Sequence, residues 1–174
     1  MDYLVLKGKY GLLGRDFLTW LFYRVTASEG RLAELDSATE VFFDDAVTVL
    51  GEGDQPAASS FRGDPASMDE ELTAALKSGK KITRAKLHVL RPEGDCTLQL
   101  DADEWTIRGL RFASNPDLEG GNEAMLLDRV ARLEGIEEVM RPLFDAYLNM
   151  RMDEKAYGTY GKDLASWLAE TVRA

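Results

Sequence analysis

The 174-residue chain predicts an α+β protein: an antiparallel sheet, made of a hairpin plus a three-stranded meander, with an aromatic N-terminal helix and a C-terminal helical segment. Three patterns carry this reading. From Thr39 to Phe112, short runs of β-branched, aromatic and alternating apolar residues are separated by Asp, Gly and Pro. Ahead of that block, Gly14 to Arg24 is apolar around almost its whole circumference. Behind it, from Asn122, apolar residues recur at steps of three and four. One domain spans residues 1–174, with 1–115 mainly sheet plus two helices and 120–174 helical.

In chain order, Tyr3 to Leu6 reads as a lead-in strand, followed by a loose turn through Gly8, Gly11 and Gly14. The aromatic helix runs from about Asp16 to Ala27 and stops at Gly30. Phe17, Trp20, Leu21 and Arg24 share one side, while Leu18, Phe22 and Val25 cover most of the rest. A helix apolar on all sides must be wedged between two layers or between two subunits. Thr39–Phe43 and Ala46–Leu50 read as the arms of a hairpin turning at Asp44-Asp45. Residues 51–56 form a polar loop, and Ala58 to Arg62 adds a strand. Ser67 to Glu70 has capping-box spacing, opening a helix that Gly79 closes.

Ile82 to Leu90 alternates, with Ala85, Leu87 and Val89 on one face and Arg84, Lys86 and His88 on the other. Pro92 to Asp95 turns the chain into Cys96, Leu98 and Leu100, and Asp101 to Glu104 turns it again into Trp105–Phe112. Gly109 is a candidate bulge, because the apolar parity shifts across it. In the helical segment Leu126, Val130, Leu133, Met140, Phe144 and Tyr147 follow a heptad pattern with Glu137 in one slot. Gly135 and Pro142 predict a kink or break there. Tyr157 to Gly161 reads as a loop, and Leu164, Trp167, Leu168 and Val172 as a closing amphipathic helix.

Composition limits the function. Hydrophobic content is 45% and charged content 30%, as expected of a globular protein with a substantial core. A single cysteine, Cys96, leaves no internal disulfide and suits a reducing cytoplasm. No signal peptide and no apolar run of membrane-spanning length is evident, so a cytoplasmic, soluble protein is expected. Net charge is −10, which opposes polyanion binding by the surface as a whole. The charge is uneven, however: Lys77, Lys80, Lys81, Arg84, Lys86 and Arg91 form a basic island without an intervening acid.

Several segments resemble a known family. Leu13-Gly-Arg-Asp-Phe-Leu-Thr-Trp-Leu21 and the aromatic pair after it are similar to a signature of the recombination-associated protein RdgC family, which also bears an exonuclease label. The family has Glu where this chain has Asp16. Ser78 to Leu87, Leu98 to Trp105 and Arg108 to Phe112 resemble the family's later segments in the same order, so the likeness covers roughly Leu12 to Val172. Family members carry a substantial region ahead of the first motif, so the chain resembles their C-terminal part.

The resemblance implies a DNA-binding protein without marked sequence preference, forming a ring-like dimer on duplex DNA and limiting access of the RecA recombinase. It would be nucleoid-associated. The alternative is a shortened relative that acts as a protein-interaction module without binding DNA.

The basic island supplies the candidate phosphate contacts, Lys77, Lys80, Lys81, Arg84, Lys86 and Arg91. A solvated outer face of an edge strand would carry the same residues. Phe17, Trp20 and Phe22 are candidate anchors for a homodimer, and an intramolecular core accounts for them equally well. Asp44-Asp45 and Asp101, Asp103 and Glu104 stand at strand ends, where a nuclease holds magnesium, but acidic turns are far commoner. No nuclease motif accompanies them, and His88 is the only histidine. No catalytic residue, metal, cofactor or small-molecule substrate is therefore assigned.

Overall fold

The computed structural model describes residues 13–51, 57–63, 65–113 and 121–171. The predicted lead-in strand Tyr3–Leu6 and most of the polar loop fall outside them. The elements run α1 (Leu13–Ala27), β1 (Glu40–Leu50), β2 (Ala58–Arg62), α2 (Pro65–Lys77), β3 (Lys81–Leu90), β4 (Cys96–Asp101), β5 (Thr106–Phe112), α3 (Gly121–Met152) and α4 (Glu154–Thr171). The five strands form one antiparallel sheet in the order β2-β1-β3-β4-β5, and the four helices complete an α+β architecture. Among the described residues no helix is long and apolar enough to cross a membrane.

The apolar circumference of α1 is resolved by burial on both sides within one chain. Phe17, Leu18, Trp20, Leu21, Phe22 and Val25 are all buried. Phe22 meets Phe43 of β1 edge-on at 5.1 Å and Trp167 of α4 at 5.9 Å. Phe17 lies within 6 Å, centroid to centroid, of Trp105, Phe144 and Tyr147. The helix is therefore the middle layer between the sheet and α3–α4. Asp16 and Arg24 place opposite charges at the ends favoured by the helix dipole. The helix ends in a left-handed turn: Glu29 has φ 52°, Gly30 has φ 85°, and the Gly30 N–H donates to the Val25 carbonyl at 2.9 Å.

The meander β3-β4-β5 matches its prediction, including the bulge. Thr97 and Gln99 pair with Arg111 and Arg108, so two β5 residues stand opposite Leu98, and Gly109 takes the left-handed φ of 59° that the extra residue needs. The same strand begins beside a bulky exception, Trp105 at φ 53°. Trp105 is held there by Phe17 at 5.8 Å and Phe144 at 4.6 Å.

Three expectations are corrected. Asp44-Asp45 is not a hairpin turn: Glu40–Leu50 is one strand, and between Phe43 and Val47 three residues stand opposite Lys86 alone. Neither aspartate has the positive φ that a two-residue hairpin turn demands. Tyr157–Gly161 is not a loop but part of α4. Asp153 caps that helix through its Oδ1, which accepts the N–H groups of Lys155 and Ala156 at 2.9 Å each. Gly158 and Gly161 then occupy open space, which a helix tolerates. The third correction concerns the break expected at Gly135 and Pro142 as one alternative to a kink: α3 is unbroken from Gly121 to Met152. Its buried side is Ile136, Val139, Leu143 and Tyr147. The α2 helix opens two residues before Ser67, with Pro65 in the first helical position that suits proline.

Phe17 touches four other aromatic rings across the three layers. Phe17→Ala is expected to lower stability by about 3–5 kcal/mol. Urea unfolding followed by far-UV circular dichroism measures the loss, and a loss below 1 kcal/mol would contradict Phe17 as the joint between layers.

Candidate nucleic-acid interface

The inward face of the sheet carries Val41, Phe43, Val47, Val49, Leu87, Val89, Leu98 and Leu100, and the helices lie on that side. No described helix covers the outward face. Its side chains line up in cross-strand rows set by the register. One row is Ser60, Thr48, Arg84, Asp101 and Thr106. The next is Lys86, Gln99 and Arg108, and the third is Phe42, His88, Thr97 and Arg111. Neighbouring strands lie about 4.8 Å apart, and alternate residues along a strand about 7 Å apart. The result is a lattice of cations and hydrogen-bonding groups with one aromatic at its margin.

Only two of the six nominated cations, Arg84 and Lys86, belong to this lattice. Lys81 turns to the helical layer, where its Nζ pairs with Asp16 at 2.9 Å. Lys80 Nζ donates to Ser59 Oγ at 2.7 Å, and Lys77 is exposed at the end of α2. Arg91 lies across Gly135 of α3, where an added Cβ would collide with its guanidinium. The basic island is continuous in sequence but scattered in space. Phe17, Trp20 and Phe22 are not a surface either, since all three are buried in the chain's own core.

The structure supplies cations that the sequence reading passed over. Arg108 and Arg111 are three residues apart and would face opposite ways on a regular strand. The Gly109 bulge turns both outward. Arg62 of β2 joins them through its pairing with Ala46. Arg62 and Arg111 have no ion-pair partner among the described residues. The predicted bulge at Gly109 was the signal for Arg108 and Arg111.

Three lattice cations have carboxylate partners. Lys86 Nζ sits 2.9 Å from both Asp44 and Asp45, which the β1 bulge presents together. Arg108 pairs with Glu104. Arg84 donates from Nε and Nη2 to Asp101 Oδ2 at 3.1 and 2.6 Å. The other Asp101 oxygen accepts the N–H groups of Asp103 and Glu104, both at 3.1 Å. Burial of Asp101 would raise its carboxyl, but the Arg84 guanidinium and the two N–H groups outweigh that and hold it below the usual range. Asp44 is shifted the same way: desolvation opposes the shift, and Lys86 and the Asp45 N–H overcome it.

The carboxylates weighed as metal ligands are thus engaged with cations: Asp44 and Asp45 with Lys86, Asp101 with Arg84, Glu104 with Arg108, and Asp103 with Arg15 at 2.5 Å. Among the described residues no group of three or more His, Cys, Asp or Glu side chains is placed to hold a metal ion. Comparison of the chain with protein-family models, with curated proteins and with solved structures finds no match.

A carboxyl held below its unfolded-state value, about 3.9, stabilises in full above that value and loses this contribution as the pH falls through the folded-state value. Stability should therefore drop on acidification below about pH 4. Asp101→Asn should lose about 1–3 kcal/mol at pH 7 and show a shallower acid limb. Urea midpoints measured from pH 7 to pH 3 check both, and parallel curves for the two proteins would count against Asp101.

Proposed function

We propose that the chain binds duplex DNA through its phosphate backbone, without sequence preference, on the outward face of the sheet. It would modulate homologous recombination by occupying the substrate. The observation that carries this reading is the pair of adjacent rows Lys86–Gln99–Arg108 and His88–Thr97–Arg111, with Arg84 beside Lys86 along β3. Five cations, Arg62, Arg84, Lys86, Arg108 and Arg111, share a face with Thr, Ser and Gln side chains that donate to phosphate oxygens. The negative charge that opposes a polyanion is partly turned away: α3 and α4 expose Glu134, Glu137, Glu138, Asp145, Asp163 and Glu170 on the other layer. Nothing on the lattice has the reach of a helix entering a groove, so base-edge readout is not part of the reading. The likeness of the amino-terminal motif and the collinear strands to the RdgC family points the same way.

A second reading is a protein-interaction module without DNA affinity. It is favoured by the carboxylates already seated on Arg84, Lys86 and Arg108, which a phosphate must displace.

Fluorescence anisotropy with a labelled duplex over a salt series separates the two. Binding is expected at low salt, with log K falling linearly against log salt. Lys86→Ala, Arg108→Ala and Arg111→Ala should each weaken it and lower the slope by about one. Lys77→Ala should leave it unchanged. Absence of binding in dilute buffer, or indifference to the three lattice substitutions, overturns the proposal in favour of the second reading.

A further inference from the structure

The helical layer carries an exposed feature that the DNA reading does not use. Of the six large hydrophobic residues exposed among the described positions, four fall within one stretch of α3: Leu126 at 62%, Leu127 at 64%, Val130 at 43% and Leu133 at 57%. At about 100° per residue, Leu126, Val130 and Leu133 form one stripe, and Gly135 lies about 180° away from Leu126. Gly135 is where Arg91 packs on the helix, and Arg132 reaches over the Phe112 ring at 4.8 Å. The sheet is therefore behind this part of α3 and the stripe points away from it. Four clustered aliphatic side chains turned from the core are the mark of an association surface.

The spacing and the residue types select the occupant. Leu126, Val130 and Leu133 fall on the d, a and d positions of a heptad, and a β-branched residue at a with leucine at d is the combination that favours parallel two-stranded pairing. Arg129 then takes position g and Glu134 the following e, the two sites that face each other across a parallel seam. Neither has an ion-pair partner among the described residues, and five positions apart on one helix they do not meet each other. A second copy supplies the missing partner for both, twice over by symmetry. The next a position is Glu137, exposed and paired with Arg141, so the seam stops where α3 turns to its own core.

We propose that the amino-terminal half of α3 pairs in parallel with the same segment of a second copy, through Leu126, Val130 and Leu133, with Arg129 of each copy facing Glu134 of the other. Three apolar layers make a short seam, so the association is concentration-dependent rather than obligate. The stripe and the cationic lattice lie on different layers, so the pairing stands or falls independently of DNA binding.

Sedimentation equilibrium of the full chain over a concentration series tests the proposal. A monomer–dimer equilibrium is expected, and Leu126→Glu with Leu133→Glu should weaken it by about tenfold or more while the circular dichroism stays unchanged. Arg129→Glu and Glu134→Arg should each weaken it, and the two together should restore it. Leu133→Cys should form a disulfide-linked dimer in air, since only a parallel seam sets residue 133 against itself. A chain that stays monomeric overturns the proposal. So does a dimer indifferent to the leucine substitutions, or one that Leu133→Cys does not link.

Discussion

The architecture follows from one constraint: α1 has no polar side to offer water. A helix with an apolar stripe can rest on a sheet and be finished, but α1 needs a cover above as well as a support below. The sheet supplies the support through Phe43, and α3 and α4 supply the cover through Phe144, Tyr147 and Trp167. Two helical layers, α1 and then α3 with α4, are thus committed to one side of the sheet. No described helix is left for the other side, and the strands accordingly alternate apolar with polar residues rather than running apolar throughout. The uncovered cationic face and the buried aromatic helix are two results of the same requirement.

The ion pairs on that face are of two kinds. Lys86 and Arg108 face carboxylates that water also reaches, and exposed pairs contribute about 0–1 kcal/mol each. Such partners exchange readily with an incoming anion. Asp101 is different, because its side chain is only 6% exposed and it also holds two backbone N–H groups of the β4–β5 turn. Arg84 is therefore part of the framework as much as of the surface, and its guanidinium is held in place by a residue that cannot leave without opening the turn.

Much of the sheet was legible because period-two alternation survives translation into structure: β3, β4 and β5 stand where Ile82–Leu90, Cys96–Leu100 and Trp105–Phe112 predict them. The aromatic helix was equally plain, and its all-round burial could be stated beforehand, although only packing could say whether the cover came from this chain or another. Local signals misled where a tertiary partner decides. Asp44-Asp45 looks like a turn until Lys86 is placed opposite, and Tyr157–Gly161 looks like a loop until Asp153 is recognised as the cap that starts a helix. The cationic site was the least legible part. Neighbours along the chain from Lys77 to Arg91 are split between α2, β3 and the connections beside β3, whereas Arg108 and Arg111 come together only through a bulge.

The bulge at Asp44 to Ala46 has a further effect on how copies of the molecule meet. Pairing of β2 with β1 begins at Ala46 and ends at Leu50, so no described strand pairs with the outer side of the first half of β1. Gly30 covers one position there, its carbonyl accepting the Val41 N–H at 2.9 Å. Just beyond, two carboxylates and a local twist occupy the point where a foreign strand would have to dock. Edge-to-edge pairing of copies is thereby discouraged along this stretch of β1.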